Sequence, residues 1–170
     1  MDVREVHADD AAAYGALWRL LLNIDLTSRT VTPALPADDP LFSMLEAPRA
    51  ALQAGRDALH LRLVDLDRAL AARTYSTRID VVLDVRDEFC PWNAGRWRLS
   101  GDEKGATCTR TDSAAELSID VRDLGAAYLG GRTLVALGKA GQVTEHRSGA
   151  VVAASRAFAG DLQPWLSFGV

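Results

Sequence analysis

The N-terminal part of the chain contains one strongly periodic segment. In ADDAAAYGALWRLLLNIDL (8–26), apolar side chains recur at the i, i+3, i+4 spacing of one helix face. Asp9 or Asp10 precedes them, in the position of a helix cap. The pattern therefore predicts an amphipathic helix, and its apolar face comprises Tyr14, Leu17, Trp18, Leu21 and Leu22.

The segment after this helix is irregular and rich in proline. LTSRTVT (26–32) has the β-branched residues of a strand, whereas three prolines interrupt regular structure in PALPADDPL (33–41). LFSMLEA (41–47) and PRAALQA (48–54) predict two short helices before Gly55. The first 55 residues thus form a helix-dominated piece.

After Gly55 the apolar positions alternate with period two, as in half-buried strands. Glycine and aspartate turns separate these runs, which favours an antiparallel sheet. The predicted strands are ALHLRLVDL (58–66), RIDVVLDV (78–85), GRWRL (95–99), GATCTRTD (105–112) and AELSIDV (115–121). The predicted helices are DLDRALAARTY (65–75), with Asp67 in its first turn, VRDLGAAYLGG (121–131), TLVALGKAG (133–141) and GAVVAASRAFAG (149–160).

Composition narrows the class of protein. Over 170 residues, 48% hydrophobic and 25% charged residues indicate a globular chain. The net charge of -4 comes from interleaved charges without a basic stripe, which argues against a nucleic-acid partner. No apolar run approaches the roughly 20 residues of a membrane span, so membrane insertion is not expected. The acidic start MDVREVHADD is unlike a signal peptide, and two cysteines are too few for a disulfide scaffold, so we predict a cytoplasmic protein.

Residues with reactive side chains show little local patterning. The three histidines lack the spacing of metal ligands, and no metal site is predicted. Cys90 in FCPWNAGRW has no evident base nearby and is interpreted as a buried thiol. Trp92, Trp97 and Tyr128 either line a ligand cavity or, more commonly for aromatic residues, belong to the core.

One short glycine-containing motif, LSIDVRDLGAA (117–127), ends in Arg-x-x-Gly-x-Ala, after a predicted strand and at the start of a helix. It resembles the acetyl-coenzyme-A loop of GNAT acetyltransferases. However, Asp120 and Asp123 place negative charge where phosphates would bind. We therefore expect Gly125 to serve helix packing and Gly130 and Gly131 to end the helix.

A longer pattern is more specific. It comprises ALWRLLLNIDL, DDPLFSMLEAPR, DALHLRLVDLDRALAARTY, GATCTRTDSAAELSIDV and VRDLGAAYLGGRTLVALGKAGQV, in this order. Together these segments resemble the C-terminal portion of the actinobacterial Eis (enhanced intracellular survival) family of GNAT N-acetyltransferases. The resemblance implies an α+β fold in two parts. Residues 1–55 would be the C-terminal part of a GNAT-like domain, and residues 56–170 a sterol-carrier-protein-like domain.

The resemblance also implies partners. Family members bind acetyl-coenzyme A in a first GNAT domain, and the resemblance implies that this chain would lack that domain. Acetyl-coenzyme A would therefore be bound by a domain absent from this chain, and this chain alone is expected to be inactive. The family forms homo-oligomers, and its acceptors are amines of the aminoglycoside, polyamine or lysine type.

The C-terminal segment DLQPWLSFGV (161–170) matches the family's catalytic tail. The resemblance assigns the Val170 α-carboxylate as general base, with Trp165 and Phe168 anchoring the tail beside the substrate. A free α-carboxyl group has a pKa of about 3.3–3.7, and apolar surroundings would raise it and improve the base. Asp57 matches an acidic position that would bind the amine. The chain departs from the family's acidic-aromatic ending, because it ends in Gly-Val.

Three other functions remain open from the sequence. The chain could be a stand-alone sterol-carrier-like module that binds an apolar ligand in a cavity. It could be an assembly scaffold, or, with less support, a single-domain GNAT acetyltransferase.

Overall fold

A computed structural model describes residues 1–33, 35–55 and 59–166. The chain divides into two units, each with its own core. Unit 1 is the N-terminal part up to His60 together with the segment from Leu162 onward, and unit 2 is Leu61–Asp161. The division predicted after residue 55 borders residues 56–58, which lie outside the described ranges.

Unit 1 is built around the predicted helix, α1 (Ala11–Leu22). The cap is Asp10, whose Oδ1 accepts a hydrogen bond from the Ala13 amide at 2.7 Å. A short helix α2 (Leu41–Met44) follows, as the pattern predicted, whereas the second predicted helix (48–54) is only a 3-10 turn at Pro48–Ala50. The small core of this unit consists of Val3, Trp18 and Leu41, with Tyr14 and Leu21 packed against it.

Two predictions for unit 1 are wrong in part. Leu17 and Leu22 were placed on the apolar face of α1, but they are 39% and 44% exposed. The core of the unit is too small to cover more than the Tyr14–Trp18–Leu21 side of the helix. LTSRTVT forms a single parallel bridge, Asp2 to Val31, because no neighbouring strand among the described residues extends the pairing.

Unit 2 contains a five-stranded sheet in the order β3-β2-β1-β4-β5. The strands are β1 (Ile79–Arg86), β2 (Gly95–Asp102), β3 (Gly105–Arg110), β4 (Leu117–Asp120) and β5 (Val143–Glu145). Four of the five were predicted, while the three-residue β5 was not. The sheet is antiparallel except at β1–β4, which is parallel because the chain returns from the β3 edge to the free side of β1.

Four helices share one core with the apolar face of the sheet. They are α3 (Leu66–Ala71), α4 (Val121–Tyr128), α5 (Leu134–Lys139) and α6 (Ala150–Phe158). On β1 the alternation places Ile79, Val81, Leu83 and Val85 in this core. On the opposite face, Asp80 accepts two hydrogen bonds from the Arg98 guanidinium across β1–β2. The predicted α+β fold is confirmed.

The strand predicted from ALHLRLVDL is wrong, since the described residues 59–64 form no strand. Leu63 is buried, but the backbone carbonyls of Leu63 and Val64 accept hydrogen bonds from the Asn93 side-chain amide at 3.1 and 3.0 Å. The Asn93 side-chain amide therefore donates the hydrogen bonds that the backbone N–H groups of a neighbouring strand would otherwise supply.

Candidate functional site

A cavity of about 370 Å³ lies within unit 1, at the start of α1. Its volume falls within the range of small-molecule sites. Apolar side chains form part of the wall, and Trp165 contributes an indole that is 44% exposed. The lining residues are Glu5, Val6, His7, Ala8, Asp10, Ala11, Tyr14, Leu35, Pro36, Asp39, Pro40, Met44 and Trp165.

A half-buried tyrosine paired with a buried aspartate stabilises one wall of this cavity. The Tyr14 hydroxyl contacts both carboxylate oxygens of Asp39, at 2.8 and 3.0 Å. Asp39 Oδ1 also accepts the Leu41 amide at 2.8 Å, and Asp39 is only 6% exposed. Burial raises the pKa of the Tyr14 phenol, so at neutral pH the hydroxyl stays protonated and donates to the carboxylate.

The C-terminal segment reaches this cavity through Trp165. The Gln163 amide donates to Asp38 Oδ2 at 2.8 Å, so the segment is hydrogen-bonded to the proline-rich segment that follows α1 in the same unit. Leu162 is 80% exposed and Leu166 is half-buried. Of the four predicted site residues only Trp165 is described. Asp57, Phe168 and Val170 lie outside the described residues.

The glycine motif at α4 does not fit a phosphate group. The Asp120 side chain caps α4 by accepting the Arg122 amide at 2.9 Å, and Asp123 is buried in the first turn, so two carboxylates occupy the helix start. A Cβ on Gly125 would lie 2.9 Å from the Leu61 carbonyl oxygen. Gly130, just beyond the helix, has φ +86°. The packing and termination roles predicted for these glycines are confirmed.

A second cavity, of about 320 Å³, lies beside α6 in unit 2. Small apolar side chains line it, together with Arg78, Asp80 and Arg147. The interior of this unit is filled by side chains, with Leu66, Leu99 and Ala157 all at 0% exposure.

The candidate aromatic residues of unit 2 are largely structural. Trp97 is 6% exposed and donates to the Asn93 carbonyl at 2.7 Å. Tyr128 is half-buried and donates to the Ala69 carbonyl at 2.9 Å. Trp92 is exposed, whereas Cys90 is buried as predicted.

A buried carboxylate, Asp87, was not identified from the sequence. Its side chain is fully buried and pairs with Arg62. It also accepts the Cys90 amide at 2.9 Å, the Phe89 amide at 3.1 Å and the Asn93 side-chain amide at 3.0 Å. Burial alone would raise the pKa of Asp87, but these donors and the guanidinium hold it below its usual value. Since every contact is internal, this network is structural.

Two other kinds of site find no support in the part of the chain that the structure describes. No three histidine, cysteine or acidic side chains there are grouped so as to hold a metal ion. No helix in the same ranges has the length and apolarity needed to cross a membrane.

Two family models match the chain in sequence order. An acetyltransferase (GNAT) domain matches residues 1–63, and a sterol carrier protein domain matches residues 66–167. The second model accounts for more than half of the chain. The chain belongs to the sterol carrier protein domain family. Its GNAT match directly precedes that domain along the chain.

Relatives that match almost the whole of this chain are N-acetyltransferases. An uncharacterized N-acetyltransferase of Streptomyces avermitilis is 51% identical over 98% of the chain and 41% of its own length. N-acetyltransferase Eis of Mycobacterium tuberculosis is 34% identical over 98% of the chain and 40% of its own length. The crystal structure of Eis1 from Mycobacterium abscessus matches 99% of the chain and 43% of its own, with 39% identity and a TM-score of 0.83.

These comparisons confirm the Eis-type GNAT resemblance predicted from the sequence. The chain spans about two fifths of the length of the relatives it matches. GNAT acetyltransferases use acetyl-coenzyme A, so this is the acyl donor to which the family points.

Proposed function

We propose that this chain acts as the C-terminal acceptor-pocket portion of an Eis-like, acetyl-coenzyme-A-dependent N-acetyltransferase. The observation that carries the proposal is the match to Eis1 over 99% of the chain, through both the GNAT and the sterol-carrier part. The acceptor would be an amine of the aminoglycoside, polyamine or lysine type.

The acyl donor would bind outside this chain. In the part described here, the single acetyl-coenzyme-A-like motif has carboxylates at the helix start and a glycine used for packing. A further GNAT domain of a longer protein would supply the binding loop and the general acid.

The Val170 α-carboxylate would serve as general base, as the family resemblance implies. An amine must lose a proton before or during attack on the thioester, and a nearby carboxylate both binds the ammonium and accepts that proton. Trp165 supports this arrangement because it brings the C-terminal segment to a cavity that contains carboxylates. Phe168 and Asp57 would complete the pocket.

A domain replacement tests the proposal. The aligned part of the Streptomyces avermitilis N-acetyltransferase, which is 51% identical, is replaced by this chain. The unmodified relative is first assayed for coenzyme A release with an aminoglycoside, a polyamine and a lysine peptide. We expect the chimera to acetylate the same amines, while this chain alone gives no turnover. A chimera that is folded by circular dichroism but inactive on every amine that the parent uses contradicts the proposal.

The alternative is a stand-alone sterol-carrier-like module for an apolar ligand. The family match and the cavity beside α6 favour this function. Native mass spectrometry before and after organic extraction distinguishes the two, because the alternative requires an apolar molecule that copurifies with the chain. Light scattering over a range of concentrations tests the homo-oligomer predicted from the family.

A further inference from the structure

The first part of strand β1 lacks a neighbouring strand on one side. β1 (Ile79–Arg86) pairs with β2 from its first residue, but its parallel pairing with β4 begins only at Leu83. The connection from β3 to β4 is held near β2 instead, since the Arg96 guanidinium donates to the carbonyls of Asp112 and Ser113, both at 3.0 Å. Among the described residues, the start of β1 is therefore an open sheet edge.

The main chain of Asp80 points to this open edge. The Val82 amide donates to Glu116 Oε2 at 3.1 Å, and the Val82 carbonyl accepts the Glu116 amide at 2.8 Å, so the main-chain groups of Val82 point away from β2. The direction of these groups repeats every second residue of a strand, so the N–H and C=O of Asp80 point the same way. The described residues give them no partner there. Both groups are available to an added strand.

The cavity of about 320 Å³ beside α6 lies at this edge. Residues 79–81 of β1 form one side of it, and Ala150, Ala153 and Ala154 of α6 form another. The alanine side chains are small and leave room between the helix and the strand. Three strand residues extend about 10 Å, so the open edge matches a short extended segment rather than a whole strand.

The charged side chains at this cavity favour an acidic ligand. Arg78 is exposed and forms no ion pair with the described residues. Arg147 pairs with Glu116 through Nε and one terminal nitrogen, so its other terminal nitrogen keeps its N–H donors. The Asp80 carboxylate is already bound by the Arg98 guanidinium, at 2.8 and 2.7 Å. The lining therefore has a guanidinium in excess, and a purely apolar ligand would leave it and the Asp80 main chain without partners.

We infer that the cavity beside α6 binds a short, extended, acidic peptide of another protein by strand addition to the open part of β1. The Asp80 main chain would exchange the strand hydrogen bonds, and Arg78 would bind a carboxylate of the peptide. The inference goes beyond the proposed function and does not depend on it, because this binding requires neither acetyl-coenzyme A nor an amine.

Proton–nitrogen correlation NMR of the chain tests the inference, with the blocked peptide acetyl-Ala-Glu-Val-Glu-Ala-amide as probe. We expect saturable shifts of the Asp80 and Ala153 amide signals. The same peptide with glutamine in place of glutamate should bind about two- to fivefold more weakly, because it lacks the charge contact. The glutamate peptide N-methylated at its three central residues keeps its charge but loses its strand hydrogen bonds, and it should bind about fivefold more weakly.

Two pairs of variants locate the site. Arg78→Gln should weaken binding about two- to fivefold. Arg86→Gln should leave binding unchanged, because Arg86 is also exposed on β1 but does not line the cavity. Ala153→Leu fills the cavity from an exposed position of α6 and should abolish saturable binding. Val152→Leu is its control, since Val152 is exposed on the same helix outside the lining. Circular dichroism checks that all four variants are folded.

Four results overturn the inference. They are equal binding of the glutamate and glutamine peptides, equal effects within either pair of variants, peptide shifts confined to the outer edge of β3, and the same shifts produced by sodium acetate alone. The last result would mean a site for small anions only. Each of them leaves the proposed acetyltransferase function untouched, because that function is measured by turnover of the chimera.

Discussion

At the residue scale, the buried carboxylate of Asp87 is held by several donors in unit 2. Its donors come from three places: the Arg62 side chain, the Phe89 and Cys90 amides and the Asn93 side chain. Asn93 also donates to the carbonyls of Leu63 and Val64. One carboxylate therefore orients the amide that fixes the irregular segment before α3.

Asp87→Asn should lower the free energy of unfolding by about 3 kcal/mol at pH 7, because it leaves the Arg62 guanidinium and three amide N–H groups without their anionic partner. The neighbouring Glu88→Gln is the control, since Glu88 is exposed and should change stability little. Urea unfolding of both variants measures the difference.

The effect of Asp87→Asn should depend on pH. The pKa of Asp87 is lowered in the folded state, whereas an unfolded aspartate has a pKa of about 3.9. The stabilisation by the carboxylate is therefore complete well above pH 3.9 and is lost as the pH falls through the folded-state value. Wild type and Asp87→Asn should differ fully at pH 7 and progressively less below pH 4. A difference that grows on acidification contradicts this assignment.

Gly125→Ala should destabilise unit 2 although alanine favours helices. The helix gain is about 1 kcal/mol, but the new Cβ would lie 2.9 Å from the Leu61 carbonyl oxygen, and overpacking costs about 1–3 kcal/mol. We expect a net loss of up to about 2 kcal/mol in urea unfolding, which is the overpacking cost less the helix gain. Gly15→Ala in α1 is the matched control, because its nearest atom is the Met44 sulfur at 3.9 Å. That variant should be neutral or stabilising.

Residues whose hydrogen-bond partners are local were predictable from the sequence. Asp10 caps α1 through an amide three positions later, so the cap is visible in the sequence. Asp87 and Arg62 are 25 positions apart, and no periodicity marks either residue. Buried polar networks of this kind become evident only when the fold brings the segments together.

At the element scale, Arg73 joins the ends of two helices. Its guanidinium donates to the Tyr128 carbonyl and, at 3.0 Å, to the Phe158 carbonyl, which are the last residues of α4 and α6. Its plane also lies against the Tyr75 and Phe158 rings, at 4.7 and 4.6 Å from the centroids. A positive charge at two negative helix ends is favourable, and the aromatic contacts add to this.

Arg73→Lys should destabilise unit 2 by roughly 1–2 kcal/mol, since an ammonium group keeps the charge but cannot span both carbonyls or stack on the rings. Arg132→Lys is the control, because Arg132 is exposed beyond α4. Thermal unfolding of the two variants compares them. Equal melting temperatures would mean that the planar geometry of Arg73 contributes nothing beyond its charge.

At this scale, strands were predictable from the sequence where one face of the sheet is buried and the other is polar. β1 and β2 alternate, apart from Val82, which is also buried, because one sheet face packs on helices and the other carries pairs such as Asp80–Arg98. Residues 59–64 carry the same leucine alternation without forming a strand, because Asn93 satisfies the carbonyls there. β5 has only three residues, which are too few for an alternation of apolar and polar positions to be recognised.

At the scale of the whole molecule, the family resemblance linked the helix-rich start of the chain to the sheet that follows, which local patterns could not do. Periodicity predicted an α+β chain, but no local signal linked the helix-rich start to the sheet that follows. The GNAT and sterol carrier matches make that link, over 1–63 and 66–167. The site was less predictable, because its cavity brings together Glu5, Asp39 and Trp165, which are far apart in sequence.

The proposed role of the Val170 carboxylate leads to a prediction for the chimera with the Streptomyces avermitilis relative. Adding three glycines after Val170 moves the α-carboxylate away from its position while every side chain stays the same. If that carboxylate is the base, kcat should fall at least about a hundredfold, the lower bound of general-base catalysis, with a smaller change in KM. Three glycines inserted at the N-terminus serve as the control and should leave the rate unchanged. Undiminished turnover of the C-terminally extended chimera would assign proton removal to another group and leave the acceptor-pocket role of the chain intact.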